Sequence, residues 1–457
     1  VSVASPVADR RRRAAPRTGA LHLVGGPRIA IVVDEFPALS ETFILRQVTG
    51  LIDRGFDVTI FANRARPDPK LHDDVLRYGL QQRTRYFGVP PGRAALLRAG
   101  ARLLGASLLG ASLPGASLAG GGDPRLLACL RTLPLRRPAL TIELLHFART
   151  LRAAGAGRFD AIHCHFGPNG LRLALLHRLG LVEGPVATTF HGYDLSTWPV
   201  GRGRDAYAPL FAAGALFLPI SRFWQQRLEA LGCPAERTRV LHMGVDCRDF
   251  AFRPRLPAPD GRVRLATIGR LVEKKGVEQA IRALSLLRRE RPDLAFAYRI
   301  VGDGPLRPRL EALIGALGLG DCVTLLGACT ASEVAALLED SHLYLQPSVT
   351  AANGDMEGIP VSLMEAMAMG LPVLSTRHSG IPELVVDGAA GWLVPERDVP
   401  ALALRLAELA GDPACWPAMG RAGRVAVESG FDNDRLIDSL AALLRELAAR
   451  GSASAAA

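Results

Sequence analysis

DMEGIPVSLMEAMAMG, residues 355–370, sets a glutamate, a glycine and a proline ahead of an apolar segment with helical spacing. Pro360 suits the first turn of a helix, because it has no N–H to leave unpaired there and its φ is already helical. The spacing therefore predicts a helix that starts near Ile359. Its free N–H groups and the positive end of its dipole would face whatever lies beside Gly358, and an anion such as a diphosphate suits that position. Glu357 falls in the loop before the helix, and Glu365 falls about two turns further along. Two carboxylates so spaced address different parts of one elongated ligand.

The segments around this stretch repeat a strand–turn–helix pattern. VRLATIGRL (263–271), FAYRIVGDGP (296–305), CVTLLGACT (322–330), HLYLQPS (342–348) and LPVLST (371–376) read as apolar strands ending in turn residues, with amphipathic helices between most of them. Thr330 and Glu333 fit a capping box at one helix start, and Pro382 falls early in another helix. Strands alternating with helices in this way mean a parallel, doubly wound sheet. An earlier series has the same character. PRIAIVVDEFP (27–37), SETFILRQVTGLIDRG (40–55) and FDVTIFA (56–62) make a β-α-β unit, and FDAIHCHFGPNG (159–170), PVATTFHGYD (185–194) and ALFLPIS (215–221) add three strands. The proline-rich FRPRLPAPDGR (252–262) reads as a linker, and FDNDRLIDSLAALLRELAAR (431–450) as a last amphipathic helix. The fold class expected is α/β with two Rossmann-like, doubly wound parallel-sheet domains. Its expected divisions are a disordered basic arm over 1–27, a first domain over 28–251, a linker over 252–262, a second domain over 263–428 and a closing helix over 429–450.

A chain of 457 residues holds two such domains, since single cores stop growing near about 250–300 residues. The formal net charge of +11 implies affinity for anions: nucleic acid, acidic lipid or phosphorylated substrates. An arginine-rich composition would give the same charge without a partner, and no basic stripe studded with aromatics argues for nucleic acid. Seven cysteines without paired spacing do not form a disulfide framework, so a reducing, cytosolic compartment is expected. The first residues carry a basic cluster without an apolar run behind it, unlike a secretory signal. Residues 103–122 carry a near-repeat of Gly-Ala-Ser-Leu and no charge; a membrane span, an interfacial segment and a flexible insertion are all open readings of it.

Arg270 follows the strand that opens at Val263, and Lys275 sits five positions on, in the turn before the next helix. Two cations at the C-terminal edge of a sheet would bind a diphosphate and offset the charge that grows on it as it leaves; a solvated basic turn that includes Lys274 is the plainer reading. Gly302 and Gly304, in GDGP, allow close backbone approach at a neighbouring strand end. Ser40, Glu41 and Thr42 mark a candidate ligand edge in the first series. His163 and His165 sit two apart at a strand end without a third metal ligand in view, so a structural role is expected, whereas His191, between Phe190 and Gly192, is a functional candidate. Asp432 and Asp434 precede a helix and read as capping groups, and no metal site is expected.

Taken in order, GRLVEKKG, VGDGP, EGIPVSLMEAMAMGLPV and STRHSGIPELV resemble the C-terminal half of glycosyltransferase family 4, retaining enzymes with the two-domain GT-B architecture. Upstream, FPALSETFILRQV, HCHFG, TTFHGYD, ISRFW and MGVD resemble the branch of that family that builds bacterial exopolysaccharide, including the colanic-acid type. The resemblance implies two domains facing across a cleft, with the closing helix crossing back to the first domain. It implies that Arg270 and Lys275 grip the diphosphate of a nucleotide-sugar donor, that Glu357 contacts the donor sugar and that Glu365 bonds the ribose. Backbone at Gly358, Ile359, Pro360 and Val361 would complete the phosphate site, and His191 would face the donor sugar from across the cleft. Ser40, Glu41 and Thr42 stand where many relatives carry a glycine-rich loop under the donor.

The implied reaction transfers a sugar with retention of anomeric configuration, with the leaving diphosphate helping to take the acceptor's proton. No cofactor is expected beyond the nucleotide-diphosphate sugar as co-substrate. The partners expected are that sugar, a glycan or polyprenyl-diphosphate-linked acceptor and an anionic membrane surface on the inner face of the cell membrane, with no nucleic acid. A nucleotide-sugar epimerase or phosphorylase on the same architecture and a catalytically silent binding subunit are the rival readings.

Overall fold

The computed structural model describes residues 26–38, 42–65, 72–88, 138–154 and 159–456. The segment 103–122, the arm before residue 26, and Ser40 and Glu41 lie outside these. Two six-stranded sheets account for the strands, and every strand pair within them is parallel. In the first sheet β1 (Arg28–Glu35), β2 (Asp57–Arg64), β3 (Thr84–Tyr86), β4 (Ala161–His165), β5 (Val186–Phe190) and β6 (Leu216–Pro219) lie in the order β3-β2-β1-β4-β5-β6. In the second, β7 (Val263–Ile268), β8 (Phe296–Val301), β9 (Val323–Gly327), β10 (Leu343–Gln346), β11 (Val373–Thr376) and β12 (Gly391–Val394) lie in the order β12-β11-β10-β7-β8-β9.

Helices cover the strands, which explains why the central strands are continuous apolar runs rather than alternating ones. Ile29, Ala30, Ile31, Val32 and Val33 of β1 are all fully buried, as are Leu343, Tyr344 and Leu345 of β10. The Thr330–Glu333 capping box forms as its spacing predicts. Two strands escape a reading by apolar runs: β3 is the three-residue edge strand TRY, and β12 has only four residues.

The crossover helix is described over Thr42–Asp53. One helix start differs from expectation. The helix of the opening motif runs Val361–Ala368, with Pro360 outside it as an extended N-cap residue (φ −62°, ψ 122°). Ile359 therefore belongs to the approach to the helix.

Residues 252–262 contain no helix or strand, but the segment is not a loose tether. Arg255 is 4% exposed and donates to the carbonyls of Leu338, Glu339, Ser341 and Met369. Arg424 likewise donates to Cys247, Phe250 and Ala368. Two guanidiniums thus satisfy carbonyls at the C-terminal end of the helix Val361–Ala368 and tie it to the crossing chain.

The last helix, Asn433–Ala456, returns to the first sheet. Leu440, Ala441, Leu444 and Leu447 join Ile29, Ile31, Val48 and Leu51 in one core. No helix among the described residues is long and apolar enough to cross a membrane.

Candidate active site

The C-terminal edge of the second sheet carries the cations. After β7 the chain turns through Gly269 and Arg270 into a single 3-10 turn, Glu273–Lys275, and Gly276 joins that turn to the helix Val277–Glu290. Gly276 has φ 67°, and a Cβ there would lie 1.7 Å from the Pro347 carbonyl oxygen, so only glycine fits. This turn aims Lys275 at the opening motif: its Nζ lies 3.0 Å from Glu357 Oε2. Lys274 is no solvated residue either. Its Nζ lies 3.1 Å from Asp355 Oδ2 and 4.0 Å from Glu357 Oε1, and it donates to the Met356 carbonyl.

Glu357 is 6% exposed. Burial alone would raise its carboxyl, but the Lys275 and Lys274 ammoniums outweigh burial and hold it below the usual carboxylate range. Oε2 is taken by Lys275, whereas Oε1 is buried without a hydrogen-bond partner among the described residues. An orphaned acceptor of this kind suits a hydroxyl arriving with a ligand. Arg270 is exposed at the same edge, and its side chain has no hydrogen bond or ion pair among the described residues.

Gly302 and Gly304 allow the close backbone approach expected at this strand end, and among the described residues the approach is to the neighbouring turn. A Cβ on Gly302 (φ 132°) would lie 1.9 Å from the Gly269 carbonyl oxygen, and one on Gly304 would lie 2.6 Å from that of Leu271. The GDGP turn therefore packs against the turn that carries Arg270, and the glycines make that contact.

The helix Val361–Ala368 starts without a side-chain cap, which leaves first-turn N–H groups beside Gly358, Ile359, Pro360 and Val361. Ser362 Oγ bonds the Ile268 carbonyl and so fixes the helix to the end of β7. The carboxyl of Glu365, one turn on, has no hydrogen bond or ion pair among the described residues, and burial pushes it up to about 7. A carboxyl raised in this way contributes stability that is fully present below its ordinary value and is lost as pH rises through about 7. Glu365→Gln, which never charges, is therefore expected to melt at the wild-type temperature near pH 4 and several degrees higher at pH 8; equal melting at both would refute this.

The first domain meets this edge at Gly358. A Cβ there would lie 2.6 Å from Ile220 Cδ1 and 3.1 Å from the His191 carbonyl oxygen. His191 is thus across the cleft, but its imidazole turns away from it. Nε2 lies 3.1 Å from His165 Nδ1 and Nδ1 lies 3.2 Å from Met243 Sδ, while the ring packs on Phe43 and Phe166. Burial lowers its pKa to about 3, so the ring is neutral. His191 presents its backbone carbonyl, rather than its ring, to Gly358.

Asp194, which the sequence reading passed over, holds that loop. It is fully buried and accepts from the backbone N–H groups of Gly167, His191 and Gly192 at 2.8–3.0 Å. Burial pushes its carboxyl up to about 6, against the pull of those three donors. A carboxylate three residues after a strand end that stops at Phe190–His191 was the signal available. His163 and His165 are fully buried, bonding Thr189 and His191, and no cluster of three or more metal-binding side chains occurs among the described residues. Thr42 is exposed at its helix start. Asp432 accepts from the Arg435 N–H, and Asp434 pairs with Arg248.

A second contact joins the domains. Glu383, on the short helix Ile381–Leu384, bonds His242 at 2.9 Å and accepts from the Phe223 N–H at the start of the helix Arg222–Ala230. The residues before it, His378 and Ser379, touch the Glu357 peptide: the Glu357 N–H reaches His378 Nε2 at 3.0 Å and Ser379 Oγ donates to the Glu357 carbonyl at 2.8 Å. The sequence reading used HSGIPELV for its helix and missed these two contacts, which only the fold brings about.

The family profile "Glycosyl transferases group 1" matches residues 249–425, and "Glycosyltransferase Family 4" matches residues 110–249. A protein of Escherichia coli (strain K12) that is named for a glycosyltransferase role in colanic acid biosynthesis is 41% identical over 92% of this chain and 100% of its own length. The amylovoran biosynthesis glycosyltransferase of Erwinia amylovora is 37% identical over 91% of this chain and 98% of its own. Among solved structures, Anabaena HepE in complex with UDP superposes with a TM-score of 0.65 at 16% identity, over 92% of this chain and 100% of that one. At that identity the likeness shows the fold, which is GT-B. With relatives this similar over nearly their whole length, and with both profiles meeting at the join between the two sheets, the chain belongs to the family 4 glycosyltransferases.

Proposed function

We propose that the chain is a retaining, metal-independent hexosyltransferase that moves a sugar from a nucleotide-diphosphate sugar to a growing glycan or polyprenyl-diphosphate-linked acceptor in exopolysaccharide synthesis. The observation that carries this reading is the Lys275–Glu357 pair beside an uncapped helix start, with Arg270 exposed at the same sheet edge. A diphosphate between these groups meets two cations and a row of N–H groups, which is the charge distribution its departure as a leaving group requires. Glu357 Oε1 would receive a donor-sugar hydroxyl, and Glu365 would receive the ribose hydroxyls, whose bonds favour its ionised form. The relatives named for colanic acid and amylovoran biosynthesis support the acceptor class.

In this reading the acceptor attacks from the face that the diphosphate leaves, and the leaving oxygen helps to take the proton, so no side chain serves as an obligatory general base. His191 bounds the sugar site with its carbonyl. In this proposal 263–428 is the donor domain and 28–251 the acceptor side. The net charge of +11 supports work at an anionic membrane face. The anomer of the product tests the mechanism: the configuration of the donor is expected to be kept, and an inverted product would overturn it.

A further inference from the structure

We propose that His378, held in one tautomer by Glu396, is a positioning residue that fixes the Glu357 peptide in the donor site. This rests on the transferase reading above. Glu357 must present one carboxylate oxygen to Lys275 and leave the other open, and its side-chain direction depends on how its own backbone is oriented. That backbone is held from outside its own segment. The Glu357 N–H donates to His378 Nε2 at 3.0 Å, and Ser379 Oγ donates to both the Glu357 and the Gly358 carbonyls, at 2.8 and 3.1 Å.

An N–H can donate to Nε2 only if Nε2 carries no proton, so His378 must hold its single proton on Nδ1. Nδ1 faces Glu396 Oε1 at 2.6 Å, where that proton is donated to a carboxylate. Glu396 is in turn held by the Thr350 N–H at 2.7 Å and by the Thr350 hydroxyl at 3.3 Å. The network is directional from end to end: Thr350 donates to Glu396, His378 donates to Glu396, and Glu357 donates to His378. His378 is fully buried and both ring nitrogens are used, so water cannot take over either bond. Ser379 is left-handed (φ 50°), strained backbone that aims its hydroxyl back at residues 357 and 358.

The two ring nitrogens allow the role to be split. Asn reproduces the Nδ1 donor but not the Nε2 acceptor, whereas Gln places an acceptor where Nε2 stood. His378→Asn is therefore expected to lower kcat about 100-fold, the loss that goes with a misplacement of about 1 Å, while the donor KM changes less than about threefold. His378→Gln is expected to retain most of the activity. Glu396→Gln offers Nδ1 an amide donor and favours the opposite tautomer, so it is expected to fall with His378→Asn even though His378 is intact. The assay follows release of nucleotide from UDP-glucose, UDP-galactose and GDP-mannose, with melting temperature measured alongside. A wild-type chain that turns over none of the three would count against the transferase reading. Active wild type with His378→Asn and His378→Gln equally active, or equally impaired, overturns the positioning role. Loss of kcat in His378→Asn and Glu396→Gln at a wild-type melting temperature, with His378→Gln spared, supports it.

Discussion

Glu357→Gln is expected to lower kcat by at least about 10²–10³-fold, the loss seen when one preorganised charged or polar group is taken from a developing transition state. Gln keeps the size of the side chain, so the loop at Gly358 keeps its packing against Ile220 and His191. It removes the charge that orients Lys275 and Lys274, whose side chains are each 15% exposed. Those two ammoniums then lose their common partner, and the Oε1 acceptor becomes one end of an amide that can also donate. Glu357→Ala adds a cavity and strands Lys275, which makes it the poorer variant, because its loss of activity would mix chemistry with stability. Single-turnover measurement separates the steps. A Gln variant that transfers sugar within tenfold of wild type would remove Glu357 from the proposed chemistry.

Arg255→Met is expected to carry the largest loss of stability, about 3–5 kcal/mol, because several buried carbonyls lose a charged donor at about 1–3 kcal/mol each. Met fills similar volume but donates nothing to the carbonyls of Leu338, Glu339, Ser341 and Met369. Burial already lowers the Arg255 pKa to about 10, a sign of how little water reaches it. Arg255→Lys is expected to fall between, since an ammonium cannot span carbonyls from two helix ends as a planar fork does. The Met369 carbonyl follows the helix whose N-terminal end carries the proposed donor site, so loosening it is expected to raise the donor KM as well. Urea unfolding followed by far-UV circular dichroism gives the stability, and a midpoint within error of wild type would mean that the linker is the simple tether its prolines suggest.

Much of the fold was legible because it is written in local chemistry. Apolar runs such as 29–33 and 343–345, ended by glycine or proline, announce strands buried on both faces, and the Thr330–Glu333 box announces a helix start within four residues. What local chemistry could not rank was which turn residue does what. Pro360 is compatible with a first helical turn and with an N-cap, and the choice went to the N-cap because the chain arrives there extended, packed beneath Ile220 and His191. Gly302 and Gly304 read as sites of close backbone approach, and only the fold shows that the neighbouring turn at Gly269 and Leu271 makes that approach.

The sequence by itself determined the two parallel α/β domains, the family, and the residue types gathered at the second sheet's edge: Arg270, Lys275, Glu357 and Glu365. Only the tertiary structure decided their partners. Lys275 meets Glu357 across 82 residues, His378 meets Glu357 across 21, and His191 turns its ring to His165 across 26. Helix and strand follow from forces between near neighbours along the chain, so their signals repeat in any stretch of suitable residues. Which oxygen stays open, which imidazole nitrogen bears the proton and which lysine is shielded from water follow from through-space contacts at a few ångströms, and these exist only once both sheets and the crossing chain are packed together.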